Sequence, residues 1–147
     1  LIDNDLVIAE AGATMKELVD FCIEKGLSGF EEFAGLPGTV GGALYMNARC
    51  FDKSISENLY ETHWLEESEE DGEYKNRDLL FEEDEKNWAY KKSPFQKTEK
   101  IIKSGTFRVK PVENDDFKDA IRSKCAGYIK GREERGHFKF PSFKRSF

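Results

Sequence analysis

The sequence offers little for metal or redox chemistry. Its 147 residues include two histidines, His63 and His137, and three cysteines, Cys22, Cys50 and Cys125. The cysteines are far apart, no C-x-x-C occurs, and the two histidines are isolated from each other, so a metal site is not expected. An odd number of scattered cysteines implies reduced thiols and a cytoplasmic protein, because disulfide frameworks belong to oxidising compartments. No run approaches the roughly 18 apolar residues of a membrane span, so no membrane contact is expected. No basic-then-apolar leader opens the chain. Leu1 stands directly before a strand-like run, and Phe147 follows neither a helix stop nor a polar tail, so both ends read as cut. Basic charge is also short. The net charge of −6 argues against general nucleic-acid binding. Residues 122–147 are the exception, with eight basic groups against two acidic ones. The plain reading of that end is a solvated helix face, and the other is a surface for an anionic ligand.

What is present suits one ordinary domain with a real core, at 38% hydrophobic and 13% aromatic residues. Leu6 to Glu10 read as a short strand. Thr14 and Glu17 form a T-x-x-E capping box for a helix that Lys25 and Gly26 stop. Met15, Leu18, Val19 and Cys22 share its inner face. Leu59 to Leu65 read as a strand, Asp71-Gly72 as a hairpin turn, and a further β segment lies around Tyr74. Ile101 to Val109 read as another strand. A long helix, from about Asp115 to Arg135, is expected after Pro111, with Phe117, Ile121, Cys125 and Tyr128 as its apolar stripe and Gly136 as its stop. Trp64 and Trp88 read as packing residues.

The most informative segment is Phe33-Ala34-Gly35-Leu36-Pro37-Gly38-Thr39-Val40-Gly41-Gly42-Ala43-Leu44-Tyr45-Met46-Asn47-Ala48. Pro37-Gly38 signals a tight turn, and Thr39 can cap a helix running through Met46. Gly41 and Gly42 would sit in its first turn, where glycine costs helix stability. A glycine turn feeding a helix N-terminus is expected to present open backbone N–H groups, a ready site for an anion such as a phosphate. The missing Cβ atoms at Gly35, Gly38, Gly41 and Gly42 would let a pyrophosphate or flat ring approach the backbone. No Lys follows Gly42, so this is not a P-loop, and the spacing is not a clean G-x-G-x-x-G either. The spacing favours dinucleotide or flavin binding over a purely structural loop.

The string G-L-P-G-T-V-G-G-A-L-Y-M-N-A resembles the FAD-binding signature of the UDP-N-acetylenolpyruvoylglucosamine reductase family. The lead-in E-A-G-A-T-M-K-E-L-V and the segment G-L-S-G-F-E-E-F-A match that family's pattern in order. W-A-Y-K-K-S-P-F resembles its aromatic-x-Y-R-x-S-x-F segment. Phe140-Pro141-Ser142 resembles the approach to its catalytic serine. The resemblance thus covers nearly the whole chain. It implies an α+β fold of the vanillyl-alcohol-oxidase/PCMH type, mainly antiparallel sheet with flanking helices, holding FAD between two subdomains. Residues 1–111 would be the second FAD-binding subdomain. Residues 112–147 would be a connecting helix and the truncated start of the substrate-binding domain. The first subdomain and most of the substrate domain would lie in missing portions of the full-length chain. The activity implied is oxidation of NADPH by FAD and reduction of UDP-N-acetylglucosamine enolpyruvate to UDP-N-acetylmuramate, a step of peptidoglycan precursor synthesis.

Position by position, the resemblance implies cofactor contacts at Gly35, Pro37, Gly38, Thr39, Val40, Gly41, Gly42 and Asn47, and substrate contacts at Tyr90 and Lys91. Lys91 stands where the family has an enolate-stabilising arginine, and lysine lacks the bidentate fork. The family's N-A-G-A-Y-G reads here Asn47-Ala48-Arg49-Cys50-Phe51-Asp52, so the turn after the helix must differ. The usual P-S-A-G-S-x-F reads Pro141-Ser142-Phe143-Lys144-Arg145-Ser146-Phe147. Ungapped alignment puts Arg145 at the proton-donating serine, and a shift of one puts Ser146 there. Two alternatives stay open: another FAD-dependent oxidoreductase of the same fold, and a non-catalytic paralogue. The oxidases of this fold often attach FAD through histidine, and neither histidine lies in a fitting motif.

Overall fold

The structure, a computed structural model, describes residues 5–134. Strand β1 (Leu6–Glu10) alternates, with Val7 and Ala9 buried. It pairs with β7 (Ile101–Arg108) near the other end of the described chain, Val7 opposite Phe107. β5 (Leu59–Glu67) lies on the far side of β7 and pairs in turn with β6 (Tyr74–Leu80). The result is one antiparallel sheet in the order β1-β7-β5-β6. The acidic residues 68–73 close the β5–β6 hairpin, as Asp71-Gly72 implied, with Gly72 at φ 70°.

Everything between β1 and β5 is an excursion over this sheet. Helix α1 (Met15–Lys25) has Thr14 as N-cap, its hydroxyl accepting from the Glu17 amide at 3.0 Å. Gly26, at φ 67°, ends it with its N–H on the Cys22 and Ile23 carbonyls. Its buried face is Met15, Leu18, Val19 and Cys22, the set that the 3.6-residue period picks out. β2 (Leu27–Ser28) and a single 3₁₀ turn, Glu31–Phe33, lead to the glycine segment and helix α2 (Val40–Met46). Val40, Ala43 and Leu44 turn α2 onto the sheet. There the bare backbone of Gly105 admits it, since a Cβ at that position would stand 3.0 Å from Leu44 Cδ1. A small hairpin follows, β3 (Arg49–Cys50) and β4 (Lys53–Ser54). Ser54 and Glu57 make a complete capping box on the 3₁₀ turn that runs into β5.

The core is aromatic. Phe30, Phe33, Phe95 and Phe107 are fully buried, with Phe30 edge-on to Phe107 at 5.3 Å. Trp64 and Trp88 flank Phe95, so both tryptophans pack as expected. After β6 come α3 (Phe81–Asp84) and the segment carrying Tyr90. β8 (Lys110–Pro111) pairs with β2 and delivers the chain to α4 (Asp115–Glu134).

The expected stripe on α4 needs one correction. Ile121 and Cys125 are buried and Tyr128 packs on the core, but Phe117 is half exposed. The buried face runs a turn further along and ends on Arg132. Arg132 donates from Nε to the Ala34 carbonyl at 2.8 Å and from Nη2 to the Glu32 carbonyl at 3.0 Å. Its guanidinium also stacks over the Phe51 ring. The expected stop at Gly136 lies outside the described residues, as do Leu1, His137 and Ser146. Among the described residues, no helix is long and apolar enough to cross a membrane.

Candidate functional site

A cavity of about 670 Å³ opens at the glycine segment, within the usual size of a small-molecule site. Its lining combines Leu36, Pro37, Gly38, Thr39, Gly42 and Ala43 of the glycine segment with Arg49, Phe51, Asp52, Tyr90 and Lys91 from later in the chain. Gly38, at φ 104°, and Gly42 both lie in this lining. A Cβ on Gly38 would meet nothing within 4 Å, and one on Gly42 only the Thr39 hydroxyl at 3.3 Å. These are the two glycines whose missing side chains leave space for a ligand.

The N–H groups of the first turn of α2 are not open as expected. Val40 N–H donates to the Ala13 carbonyl at 2.8 Å and Gly41 N–H to the Ala11 carbonyl at 2.9 Å. Gly42 N–H donates to the Thr39 hydroxyl at 3.1 Å. The first turn is thus satisfied from within the protein, because the β1–α1 connection runs alongside it. The amides without a partner among the described residues stand one step earlier, at Gly38 and Thr39. Gly41 and Val40 do not reach the cavity. Val40 is fully buried, and a Cβ on Gly41 would press into Ala11. Gly35, at φ 82°, sets the turn ahead of the cavity wall.

The later part of the lining hangs on the C-terminal end of α2. Asn47 ends that helix in the left-handed region at φ 46° and is only 3% exposed. Its Nδ2 donates to the Ala89 carbonyl at 2.8 Å, and its Oδ1 accepts from the Ser56 amide at 3.2 Å. Ala89 and Lys92 exchange backbone hydrogen bonds, which puts Tyr90 and Lys91 at the tip of a tight turn. Lys91 is held at φ 54°. Ser93 Oγ and Gln96 Nε2 both donate to the Tyr45 carbonyl, at 2.6 and 3.0 Å, and Gln96 also holds the Lys91 carbonyl at 2.9 Å. One short helix therefore carries the glycine wall at its start and the Tyr90–Lys91 turn at its end. Tyr90 is 68% exposed, with the Lys91 ammonium 5.3 Å from its ring centre.

The thiols take no part. Burial pushes the Cys22 thiol up to about 12 and Cys125 up to about 11, so both stay protonated near neutrality. Among the described residues no group of three or more metal-ligating side chains comes together. His63 is engaged in the sheet, with Nδ1 2.7 Å from Asp78 Oδ1 and Nε2 3.0 Å from Thr106 Oγ1.

No protein-family model matches the chain. Individual proteins do. UDP-N-acetylenolpyruvoylglucosamine reductase of Treponema denticola is 36% identical over 150 residues, spanning 96% of this chain. The protein of the same name from Borreliella burgdorferi is 34% identical over 141 residues, again 96% of this chain. The crystal structure of the Thermus caldophilus reductase superposes with a TM-score of 0.66 at 26% identity, over 84% of this chain and 41% of that one. The chain is related to the UDP-N-acetylenolpyruvoylglucosamine reductases over part of their length. It spans less than half of the two sequence relatives, 44% and 43%. A solvent-stable cholesterol oxidase shares the fold, with a TM-score of 0.57 at 19% identity. The fold is thus the expected α+β, mainly antiparallel FAD-binding type that the reductase and the oxidase have in common.

Against the reductase pattern, four departures fall in the cavity lining, at Arg49, Phe51, Asp52 and Lys91, and two of them concern cations. Lys91 keeps a cation where the pattern has arginine, and Arg49 brings a guanidinium where it has glycine. The pattern's glycine before β4 is Asp52. It keeps a left-handed turn without glycine, with Phe51 at φ 48° and Asp52 at φ 65°. Such residues cost of order 1–2 kcal/mol each in that region. Tyr128 and Arg132 hold the Phe51 ring in place, at 4.7 and 5.3 Å. Arg49, Phe51 and Asp52 were not foreseen as site residues. The glycine replacements marked the spot, but only the fold shows that the hairpin forms a cavity wall. Ser146 lies outside the described residues and gains no geometry.

Proposed function

We propose that this chain supplies the second FAD-binding subdomain of a reductase that converts UDP-N-acetylglucosamine enolpyruvate to UDP-N-acetylmuramate with NADPH, in the cytoplasmic synthesis of peptidoglycan precursors and hence in cell shape and division. The observation that carries this reading is the single cavity lined by Gly38, Thr39 and Gly42 together with Tyr90 and Lys91. Residues 1–111 form the cofactor side, and 112–147 begin the connection to the substrate domain. The remaining portions of the full-length chain complete the site, so this segment alone is inactive.

The residues fit FAD, because Gly38 and Gly42 leave a wall that a Cβ would narrow and the Gly38 and Thr39 amides are unpaired there. When bound, FAD supplies hydride transfer from NADPH to the enolpyruvyl double bond. Gly35 and Pro37 shape the turn that positions those donors. Val40 and Gly41 fix α2 from behind, one in the core and one against Ala11. Asn47 ties the cofactor wall to the Tyr90–Lys91 turn through Ala89. Tyr90 presents an exposed ring and hydroxyl to the UDP-sugar. Lys91 places a positive charge where negative charge builds on the substrate as hydride arrives. Ser146 is the candidate donor of the final proton, and a hydroxyl needs neighbouring groups to do that.

The test is the full-length protein, purified and examined for non-covalent flavin absorbance and for NADPH oxidation that depends on the enolpyruvyl substrate. A colourless protein that cannot be reconstituted with FAD defeats the reading.

A further inference from the structure

We propose that Arg49 is an oxyanion-binding residue of this cavity and grips an anionic group of the UDP-sugar substrate. This rests on the functional reading above and adds to it a residue that the reductase pattern lacks.

Arg49 opens the β3–β4 hairpin. Cys50 turns inward and is buried, and Arg49, on the opposite face of the ribbon, is exposed in the cavity wall. Its Nη1 donates to the hydroxyl of Ser54, its partner across the hairpin, at 3.1 Å. That bond anchors one corner of the guanidinium. Arginine carries five N–H donors in a rigid fork, so one anchor leaves most of them for a ligand. Asp52 Oδ1 is 3.9 Å from Nη2, but its side chain is fully exposed, so the pair is screened by water and weak. Arg49 and Lys91 against Asp52 leave the wall with one positive charge in excess. Leu36, Ala43, Met46 and Phe51 line the same cavity, so a bound anion would be partly shielded from water.

The two cationic departures from the reductase pattern, Arg49 and Lys91, then read as one exchange. Lysine at position 91 gives up a fork and keeps a point charge. Arginine at position 49 brings a fork to the same cavity. A planar carboxylate or a phosphate is held best by two parallel N–H donors, which Arg49 can supply and Lys91 cannot. The substrate carries both oxyanions, an enolpyruvyl carboxylate and a diphosphate.

The experiment uses the full-length protein, with R49Q, R49K and the double variant R49Q/K91R. Each is titrated calorimetrically with UDP-N-acetylglucosamine enolpyruvate, UDP-N-acetylglucosamine and inorganic pyrophosphate. Gln keeps a donor for Ser54 and removes the charge, so R49Q should melt like the parent. It should weaken the enolpyruvyl ligand by about 10- to 100-fold, the range for a lost charged hydrogen bond. R49K should lose less. K91R should recover part of the loss, which a residue serving only to staple the hairpin would not produce. If UDP-N-acetylglucosamine and pyrophosphate weaken in parallel, Arg49 grips the diphosphate. If only the enolpyruvyl ligand weakens, it grips the carboxylate. Unchanged affinity of R49Q for all three probes overturns the proposal. A parent that binds neither FAD nor a UDP-sugar defeats the functional reading instead. Pyrophosphate then decides alone, and the proposal falls if R49Q binds it as the parent does or if the parent does not bind it.

Discussion

The amide of Gly41 donates to the carbonyl of Ala11 at 2.9 Å, and a Cβ on Gly41 would stand 2.9 Å from the Cβ of Ala11. Adjacent glycines in one helix turn therefore do different jobs. Gly41 lets α2 lie against the β1–α1 connection, and Gly42 leaves the cavity open. G41A should destabilise the full-length protein by about 1–3 kcal/mol, as overpacking does. G42A should leave stability equal or slightly higher, because alanine favours a helix over glycine by up to about 1 kcal/mol. It should instead lower flavin content. Urea midpoints and bound-flavin absorbance of the two variants check this, and a G41A as stable as the parent would contradict it.

Asn47 gives a second contrast. It joins the Ala89 carbonyl to the Ser56 amide from a buried, left-handed position. N47G keeps the backbone conformation and loses both bonds; N47A loses both and strains the backbone as well. With net hydrogen bonds worth about 0.5–1.5 kcal/mol each, N47G should cost about 1–3 kcal/mol. N47A should cost roughly 1 kcal/mol more, the penalty of a left-handed non-glycine residue. Denaturation midpoints give the order. An N47A equal to N47G would show that the φ of position 47 relaxes once the amide is gone.

Much of the fold was legible because it follows from local pattern. Thr14, Gly26 and the Met15–Leu18–Val19–Cys22 face fixed α1, and the β5–β6 hairpin followed from the Leu59–Leu65 run, Asp71-Gly72 and the β segment around Tyr74. Three features were not readable, each for a non-local reason. The α2 amides are closed by Ala11 and Ala13, some 30 residues earlier in the chain. Phe51 and Asp52 turn left-handed without glycine because Tyr128 and Arg132 on α4 hold the ring. Arg132 itself reads as one of many basic residues on a solvated helix, yet it is buried among carbonyls. In the site, the Gly38–Gly42 segment and the Tyr90–Lys91 pair were visible as strings. That they share a cavity depends on Asn47, Ser93 and Gln96 fastening one to the other.

Cys22 sets an alkaline limit. Burial is the main cause of its rise from 9.0 to about 12, with the Glu31 carboxylate adding to it. The unfolded thiol ionises near 9, but the folded one holds its proton to about 12. Between those values the unfolded state binds fewer protons, so stability falls as pH rises. Below pH 9 this contribution is fully present. The urea midpoint should therefore decline from pH 9 upward, and the decline should be shallower in C22A, whatever that variant's stability at neutral pH. Identical slopes for parent and C22A would show that Cys22 does not carry the effect. Native Cys22 should also resist thiol reagents at pH 8 until the protein is unfolded.

Lys91 carries the sharpest test of the reaction. Its backbone is held at φ 54°, with Gln96 on its carbonyl, so its position is specified rather than incidental. If its ammonium offsets the charge that builds on the substrate, K91A should lower kcat of the full-length enzyme by about 100-fold or more, the usual effect of losing one such contact. K91R should hold or raise kcat, because it restores a fork at that position. Flavin content should be unchanged in both, since Lys91 sits on the turn held at the end of α2 and Gly38 and Gly42 lie at its start. A backbone role alone predicts something different: K91G would then tolerate the left-handed turn best and outperform K91A. Steady-state rates for the Arg, Ala and Gly variants separate the two. Equal rates for the parent, K91R and K91A would reduce Lys91 to a solvated turn residue and leave Arg49 as the cation to pursue.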